Sequence, residues 1–209
     1  LAAEIIESAI AALESEGVIE SARIGIHGFS RTCWYVLEFL TRTNRPIAAA
    51  SIHDGLNNGY IEFVLFSTPG TAGETRRING GLPWGGTQKN WLERAAPFRM
   101  HHAKTPLQSM AYFTFLSAYH MAEPVVALRW LGVPAELTVF PNGNHVAIQP
   151  WHRLAAQQGT LDWFEFWIRG SERSEPFPDS PESKEELRGK YESNVSGGSP
   201  LFLPDKCLE

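Results

Sequence analysis

Three residues able to do acyl-transfer chemistry together stand far apart in the chain: Ser30, Asp54 and His145. A serine supplies a nucleophile, a histidine carries its proton, and a carboxylate fixes the imidazole tautomer and offsets its charge. Each of the three follows a short apolar run. Ile24-Gly25-Ile26 precedes Gly28-Phe29-Ser30, Ile47 to Ile52 precedes His53-Asp54-Gly55, and Ala135 to Phe140 precedes Pro141-Asn142-Gly143-Asn144-His145. The stretch from Ala22 to Tyr35 reads as strand, sharp turn and helix. Such a turn aims the serine hydroxyl away from the sheet. It also points the N–H of the next residue, Arg31, to where an oxyanion would develop. The pattern Gly-x-Ser-x-Gly is half present, because the small residue Thr32 stands where the second glycine belongs. The competing reading is that Ser30 only caps the helix behind it.

The elements that must hold these residues alternate. Helical spacing covers Ala2 to Glu16, and the first strand spans Arg23 to His27. A helix with Trp34, Val36, Leu37, Phe39 and Leu40 breaks before Asn44-Arg45-Pro46. The run Ile47 to Ile52 is small and, but for Ser51, apolar, as in a parallel strand covered on both faces. From Leu56 to Gly86 periodicity weakens, apart from a short helical stretch at Tyr60 to Phe66, and the segment reads as an excursion above the sheet. Trp91 to Phe98 is helical as far as Pro97. A strand then starts near Thr105-Pro106-Leu107 and runs towards Phe115. A helix over Pro124 to Leu131, a strand over Ala135 to Phe140 and a helix over His152 to Trp167 complete the ordered part. This alternation predicts an α/β fold: a mostly parallel sheet of about five strands with helices on both faces. Ligands bind such sheets at the carboxyl ends of the strands, where all three residues fall.

Other chemistries find little support. The net charge of −5 and the lack of a Lys/Arg block argue against a nucleic-acid surface. No apolar run approaches the roughly 20 residues of a membrane span. The seven histidines include no His-Glu-x-x-His pair, and His101 and His102, being adjacent, are expected to point apart. Phosphate-binding and dinucleotide glycine loops are missing as well, so no metal or other cofactor is expected. Cys33 reads as a small buried hydrophobe, and Cys207 lies in a polar tail, so the two make no disulfide framework. The chain begins at Leu1 with neither methionine nor signal peptide, which reads as a piece of a longer protein. Its compartment, cytoplasmic or periplasmic, is not read from it.

The order nucleophile, acid, histidine is that of the α/β-hydrolases. More specifically, the chain resembles the C-terminal catalytic part of the prolyl oligopeptidase family (S9). It is most similar to the branch with Gly-Phe-Ser-Arg-Thr, which includes lasso-peptide isopeptidase-like proteins. The resemblance is carried by Gly25-Ile26-His27-Gly28-Phe29-Ser30, by Ala95-Ala96-Pro97-Phe98 with Lys104-Thr105-Pro106-Leu107, and by Ala127-Leu128-Arg129 with Gly132-Val133-Pro134-Ala135-Glu136-Leu137, closing with Phe140-Pro141 and His145. It spans about Leu1 to Arg169. It implies a serine hydrolase acting on peptides, with a β-propeller upstream that screens substrates. It also implies that the first strands of the sheet, with the second oxyanion donor, are missing from this chain.

One departure matters. The family places its catalytic aspartate after the strand before the last helix–strand unit, and there this chain reads Ala111-Tyr112-Phe113-Thr114-Phe115-Leu116-Ser117, without a carboxylate. Two substitutes remain. Asp54 follows the preceding strand, and its bland reading is a turn former before Gly55. Glu123 opens the next helix, and its bland reading is a charge matched to the helix dipole. Asp54 is the favoured choice. Arg31 is expected to bind a substrate carboxylate or, more blandly, to cover the turn with its stem. His102 and Lys104 read as surface residues.

The expected organisation is an α/β-hydrolase catalytic domain over residues 1–170 and a polar, mobile extension over 171–209, with a helix near Lys184 to Tyr191. The expected activity is cleavage of peptide or isopeptide bonds through Ser30, His145 and Asp54 or Glu123. The alternatives are an esterase, or a binding protein that keeps the fold with impaired catalysis. A first strand lacking its upstream neighbour should expose an unpaired edge or an apolar face.

Overall fold

The computed structural model describes residues 2–66, 69–113 and 115–172. The predicted helix near Lys184 to Tyr191 and nearly all of the extension lie outside the described residues. Four strands form one parallel sheet, β1 (Gly25–Phe29), β2 (Ala49–His53), β3 (Leu107–Ala111) and β4 (Ala135–Val139), in the spatial order β1-β2-β3-β4. Among the described residues there are thus four strands rather than five. Among the described residues β1 pairs only with β2, which leaves it on an edge, one of the two outcomes expected.

When spatial order repeats chain order, crossovers of one hand bring the connecting helices to one face of the sheet. That face is covered by α2 (Arg31–Leu40), the 3-10 helix Ala96–His102 and α6 (Phe115–Trp130). Period-2 alternation sends Ala50 and Ile52 of β2 and Leu107 of β3 into it, against Cys33, Leu37, Leu40, Met100, Met121, Val125 and Leu128. α1 (Ala2–Ser15) packs outside α2 through Ile10. Arg99 ties the layer together: its guanidinium donates to Glu38 Oε1 (2.7 Å) and Thr41 Oγ1 (3.0 Å) of the α2 segment, all nearly buried.

The opposite face is covered by α7 (Pro150–Arg169), and here the alternation is polar. His27, Ser51, Gln108 and Glu136 stand in register across the four strands. Met110, Tyr112, Phe140, Ala155 and Ala156 form the apolar patch beside that row.

Several elements differ from the sequence reading. β1 is set two residues later than Arg23 to His27, because the chain stays extended through Gly28 and Phe29 into the turn. The stretch that lacked periodicity contains α4 (Pro69–Ile78), between α3 (Tyr60–Leu65) and α5 (Gln88–Arg94). Its two glycines hid it from propensity. β3 ends at Ala111, and α6 is already formed at Phe115 with Pro124 inside it, so that helix does not begin at Pro124. Pro124 has no N–H for the carbonyl of His120 four residues back. Asn57 Nδ2 donates to that carbonyl instead, at 2.8 Å.

Candidate active site

β1 runs unbroken into Ser30, whose backbone lies at φ 56°, ψ −128°. That region is unfavourable for a residue with a Cβ and is held only where the surroundings demand it. The hydroxyl makes no cap bond to α2; its Oγ lies 2.9 Å from His145 Nε2. The helix-cap reading therefore fails on geometry. Thr32, in the place of the usual glycine, braces the turn: its Oγ1 takes the N–H of Phe29 and donates to the Phe29 carbonyl, both at 2.7 Å. Arg31 opens α2, so its N–H has no intrahelical acceptor and is free to donate beside Ser30. Cys33 is fully buried, and burial pushes its thiol up to about 12, which leaves it protonated and inert at neutral pH.

Asp54 follows β2 directly and lies in the left-handed region, at φ 42°. Its Oδ2 lies 2.7 Å from His145 Nδ1, and its Oδ1 accepts the N–H groups of Tyr112 (2.8 Å) and Phe113 (3.0 Å). A carboxylate only accepts, so Nδ1 carries the imidazole proton and the Nε2 lone pair faces the Ser30 hydroxyl. The loop after Asp54 presses on the serine turn: a Cβ at Gly55 would collide with Cys33 Sγ and the Ser30 carbonyl. Backbone bonds knit the two turns, Ser30 N–H to His53 O at 3.0 Å and Leu56 N–H to Ser30 O at 3.2 Å. Asp54 is buried at 5% exposure, while the His145 side chain is 43% exposed between the rings of Phe29 (5.0 Å) and Phe113 (6.1 Å). The acid is dry and fixed; the imidazole faces the open side.

The other candidates lie elsewhere. Glu123 is inside α6 and not at its start, so a helix-terminus role is excluded, and it is no part of the Ser30–His145–Asp54 chain. Its Oε2 accepts from Asn57 Nδ2 at 3.3 Å. Burial and the charge of Glu62 push its carboxyl up to about 7 against the pull of that amide. The Arg31 guanidinium is not free, since it forms a two-pronged ion pair with Glu74 of α4, largely exposed, which raises the arginine and lowers the glutamate. His102 and Lys104 are exposed; the rings of His101 and His102 lie 3.9 Å apart, tilted at 44°, instead of pointing apart. Sequence reasoning missed Tyr112, Phe113 and Glu74, and it read Thr32 only as a small replacement for glycine, not as a brace. The first two follow β3, at the same sheet end as Ser30 and Asp54, which is the signal that could have found them.

No protein-family model matches the chain. In sequence it is 28% identical to the lasso peptide isopeptidase AtxE2 of Asticcacaulis excentricus, over 95% of this chain and 28% of that protein. Its structure is similar to that of AtxE2 without ligand, with a TM-score of 0.68 and 26% identity over 93% of this chain and 28% of the other. A puromycin-hydrolyzing peptidase of Mycobacterium tuberculosis matches with TM-score 0.69 and 19% identity, over 83% of this chain and 26% of its own. The acylaminoacyl peptidase of Pyrococcus horikoshii matches with TM-score 0.61 and 17% identity, over 83% and 28%. The chain thus spans little more than a quarter of the length of these relatives. The likeness in sequence along nearly the whole chain makes it similar to part of a lasso peptide isopeptidase, a peptidase of the prolyl oligopeptidase (S9) family, and the structural matches give it the α/β-hydrolase fold.

Proposed function

We propose that this chain is the catalytic core of a serine hydrolase that cleaves peptide or isopeptide bonds. The observation that supports this most is the hydrogen-bonded run from Ser30 Oγ through His145 to Asp54 Oδ2, at 2.9 and 2.7 Å. In this reading Ser30 attacks the scissile carbonyl and passes its proton to His145 Nε2. Asp54 stabilises the imidazolium through Nδ1–H, and His145 returns the proton to the departing amine. The Arg31 N–H donates to the developing oxyanion. Water then repeats the sequence on the acyl-serine and restores the enzyme.

A peptide rather than a small ester is favoured by the relatives: AtxE2 is named an isopeptidase, and a variant of it has been solved with astexin3-dC4 bound. We also place residues 1–170 in the catalytic unit, with 171–209 as an appendage to it. A β-propeller upstream, implied by the family resemblance, is the proposed screen over the open side of His145; the reading frame preceding Leu1 tests it. The activity is tested by incubating the protein with a linear peptide and a side-chain-linked isopeptide and following hydrolysis by mass spectrometry. Turnover of either that vanishes in Ser30→Ala supports the proposal. Turnover unchanged in Ser30→Ala, or confined to esters, overturns it.

A further inference from the structure

Under α7 runs a chain of hydrogen bonds whose directions can be worked out from its far end. Gln108 Nε2 faces two acceptors, Glu136 Oε1 (2.6 Å) and the Gly159 carbonyl (3.1 Å), so the amide nitrogen must be on that side. Gln108 Oε1 is then the acceptor for the single proton of the Ser51 hydroxyl, at 2.9 Å. Thr160 spends its own proton on the Ala156 carbonyl, at 2.8 Å. Both hydroxyls can therefore only accept from His53 Nε2, which lies 3.0 Å from each. That puts the His53 proton on Nε2 and the lone pair on Nδ1, where the Tyr112 hydroxyl donates at 2.8 Å; Met110 Sδ, at 3.5 Å, is the poorer acceptor. Burial pulls His53 down to about 3, helped by the neighbouring His27, so the imidazole stays neutral and the direction of the chain is kept at any ordinary pH.

Tyr112 is where this chain meets the reactive residues. Its ring is buried against Phe140 at the end of β4, at 5.0 Å. Its N–H bonds Asp54 Oδ1. Its carbonyl is so near the loop that carries His145 that a Cβ at Gly143 would stand 2.6 Å from it. One residue therefore touches the acid on one side and the histidine loop on the other, and its far end is pinned by a histidine of fixed tautomer. We propose that Tyr112, oriented by His53, is a positioning residue that sets Asp54 and the His145 loop against each other. The end of β3, which holds no carboxylate, would serve the site by holding an acid supplied from β2. This inference rests on the serine hydrolase reading for its effect on turnover, but not for the geometry it asserts.

The test uses the full chain and two variants. Tyr112→Phe removes only the hydroxyl, and Gly143→Ala pushes the Tyr112 carbonyl from the other side. Each should lower kcat for peptide hydrolysis about tenfold with KM within about twofold, because the groups misplaced act in the transition state. In the proton NMR spectrum each should also shift or broaden the downfield signal of His145 Nδ1–H. A purely structural role would leave that signal in the folded fraction as in the wild type. Wild-type kcat and an unshifted proton in both variants overturn the proposal, and so does a lost kcat with the proton unchanged. A wild-type protein that hydrolyses nothing and takes no fluorophosphonate sinks the hydrolase reading alone. The downfield proton, which needs no substrate, still decides whether Tyr112 holds Asp54 on His145.

Discussion

Asp54→Asn is the most informative single substitution, because the structure dictates how the new amide must sit. The two N–H groups of Tyr112 and Phe113 point at Oδ1, at 2.8 and 3.0 Å, and can be met only by the amide oxygen. The Nδ2 group then faces His145 Nδ1, 2.7 Å from the Oδ2 position, and two donors cannot share that contact. The imidazole is driven to its other tautomer, with the proton on Nε2 pointing at Ser30 and no lone pair left to take the serine proton. The volume is unchanged and the site is already buried, so neither packing nor access is disturbed. The rate should fall by about 10³ to 10⁴, or about 4–5.5 kcal/mol of transition-state stabilisation at 1.36 kcal/mol per decade. KM should move little, since the acid acts after binding. The assay is peptide cleavage under saturating and limiting substrate, with the rate of fluorophosphonate inactivation measured beside it. A loss smaller than about tenfold, with Ser30→Ala still inactive, would refute the tautomer argument and leave His145 and Ser30 as an unassisted pair.

Glu123→Gln should cost less than about tenfold in rate, and its main effect should be on stability against pH. The carboxyl titrates near 4.5 when unfolded and about 7 when folded, so wild-type stability from this group is full below pH 4.5 and falls by up to about 3 kcal/mol as pH rises to 7. Urea melts from pH 4 to 8 should show that slope reduced in Glu123→Gln, with the variant the more stable at pH 8; equal slopes would contradict it. Arg99→Met breaks the buried pair with Glu38 and should lower stability by about 3 kcal/mol, a melting drop of about 6–12 °C by calorimetry. Glu74→Gln should change stability by less than about 1 kcal/mol, as the pair with Arg31 is 50% and 32% exposed. It should lower KM for peptides carrying a carboxylate next to the scissile bond by freeing the guanidinium. The unpaired edge of β1 should make the 209-residue chain self-associate in light scattering; a monodisperse monomer would show that edge to be protected.

The convergence of Ser30, Asp54 and His145 was legible because each follows an apolar run, and parallel strands bring such ends to one side of the sheet. The choice between Asp54 and Glu123 was legible only in part: the sequence favoured Asp54 without excluding Glu123. It turned on where α6 begins: proline is favoured in the first turn of a helix, so Pro124 read as its start, whereas it lies inside the helix and Asn57 takes the carbonyl it frees. α4 escaped notice because its glycines and threonines carry no helical stripe. The Arg31–Glu74 pair joins residues 43 positions apart, beyond any local pattern. The polar row under α7 could be read only once the register put His27, Ser51, Gln108 and Glu136 side by side. In the sequence these residues sit within short apolar strands, where period-2 alternation hints at two unlike faces without saying what covers them.

The central claim is that Ser30, aimed from its strained turn at His145, is an activated nucleophile. The most direct measurement is the mass and position of the adduct formed with a fluorophosphonate, mapped by peptide sequencing of the modified protein. The account predicts one adduct per chain, on Ser30, absent from Ser30→Ala and formed about 10³-fold more slowly in Asp54→Asn. An unmodified protein, or an adduct that persists on another residue in Ser30→Ala, would contradict it.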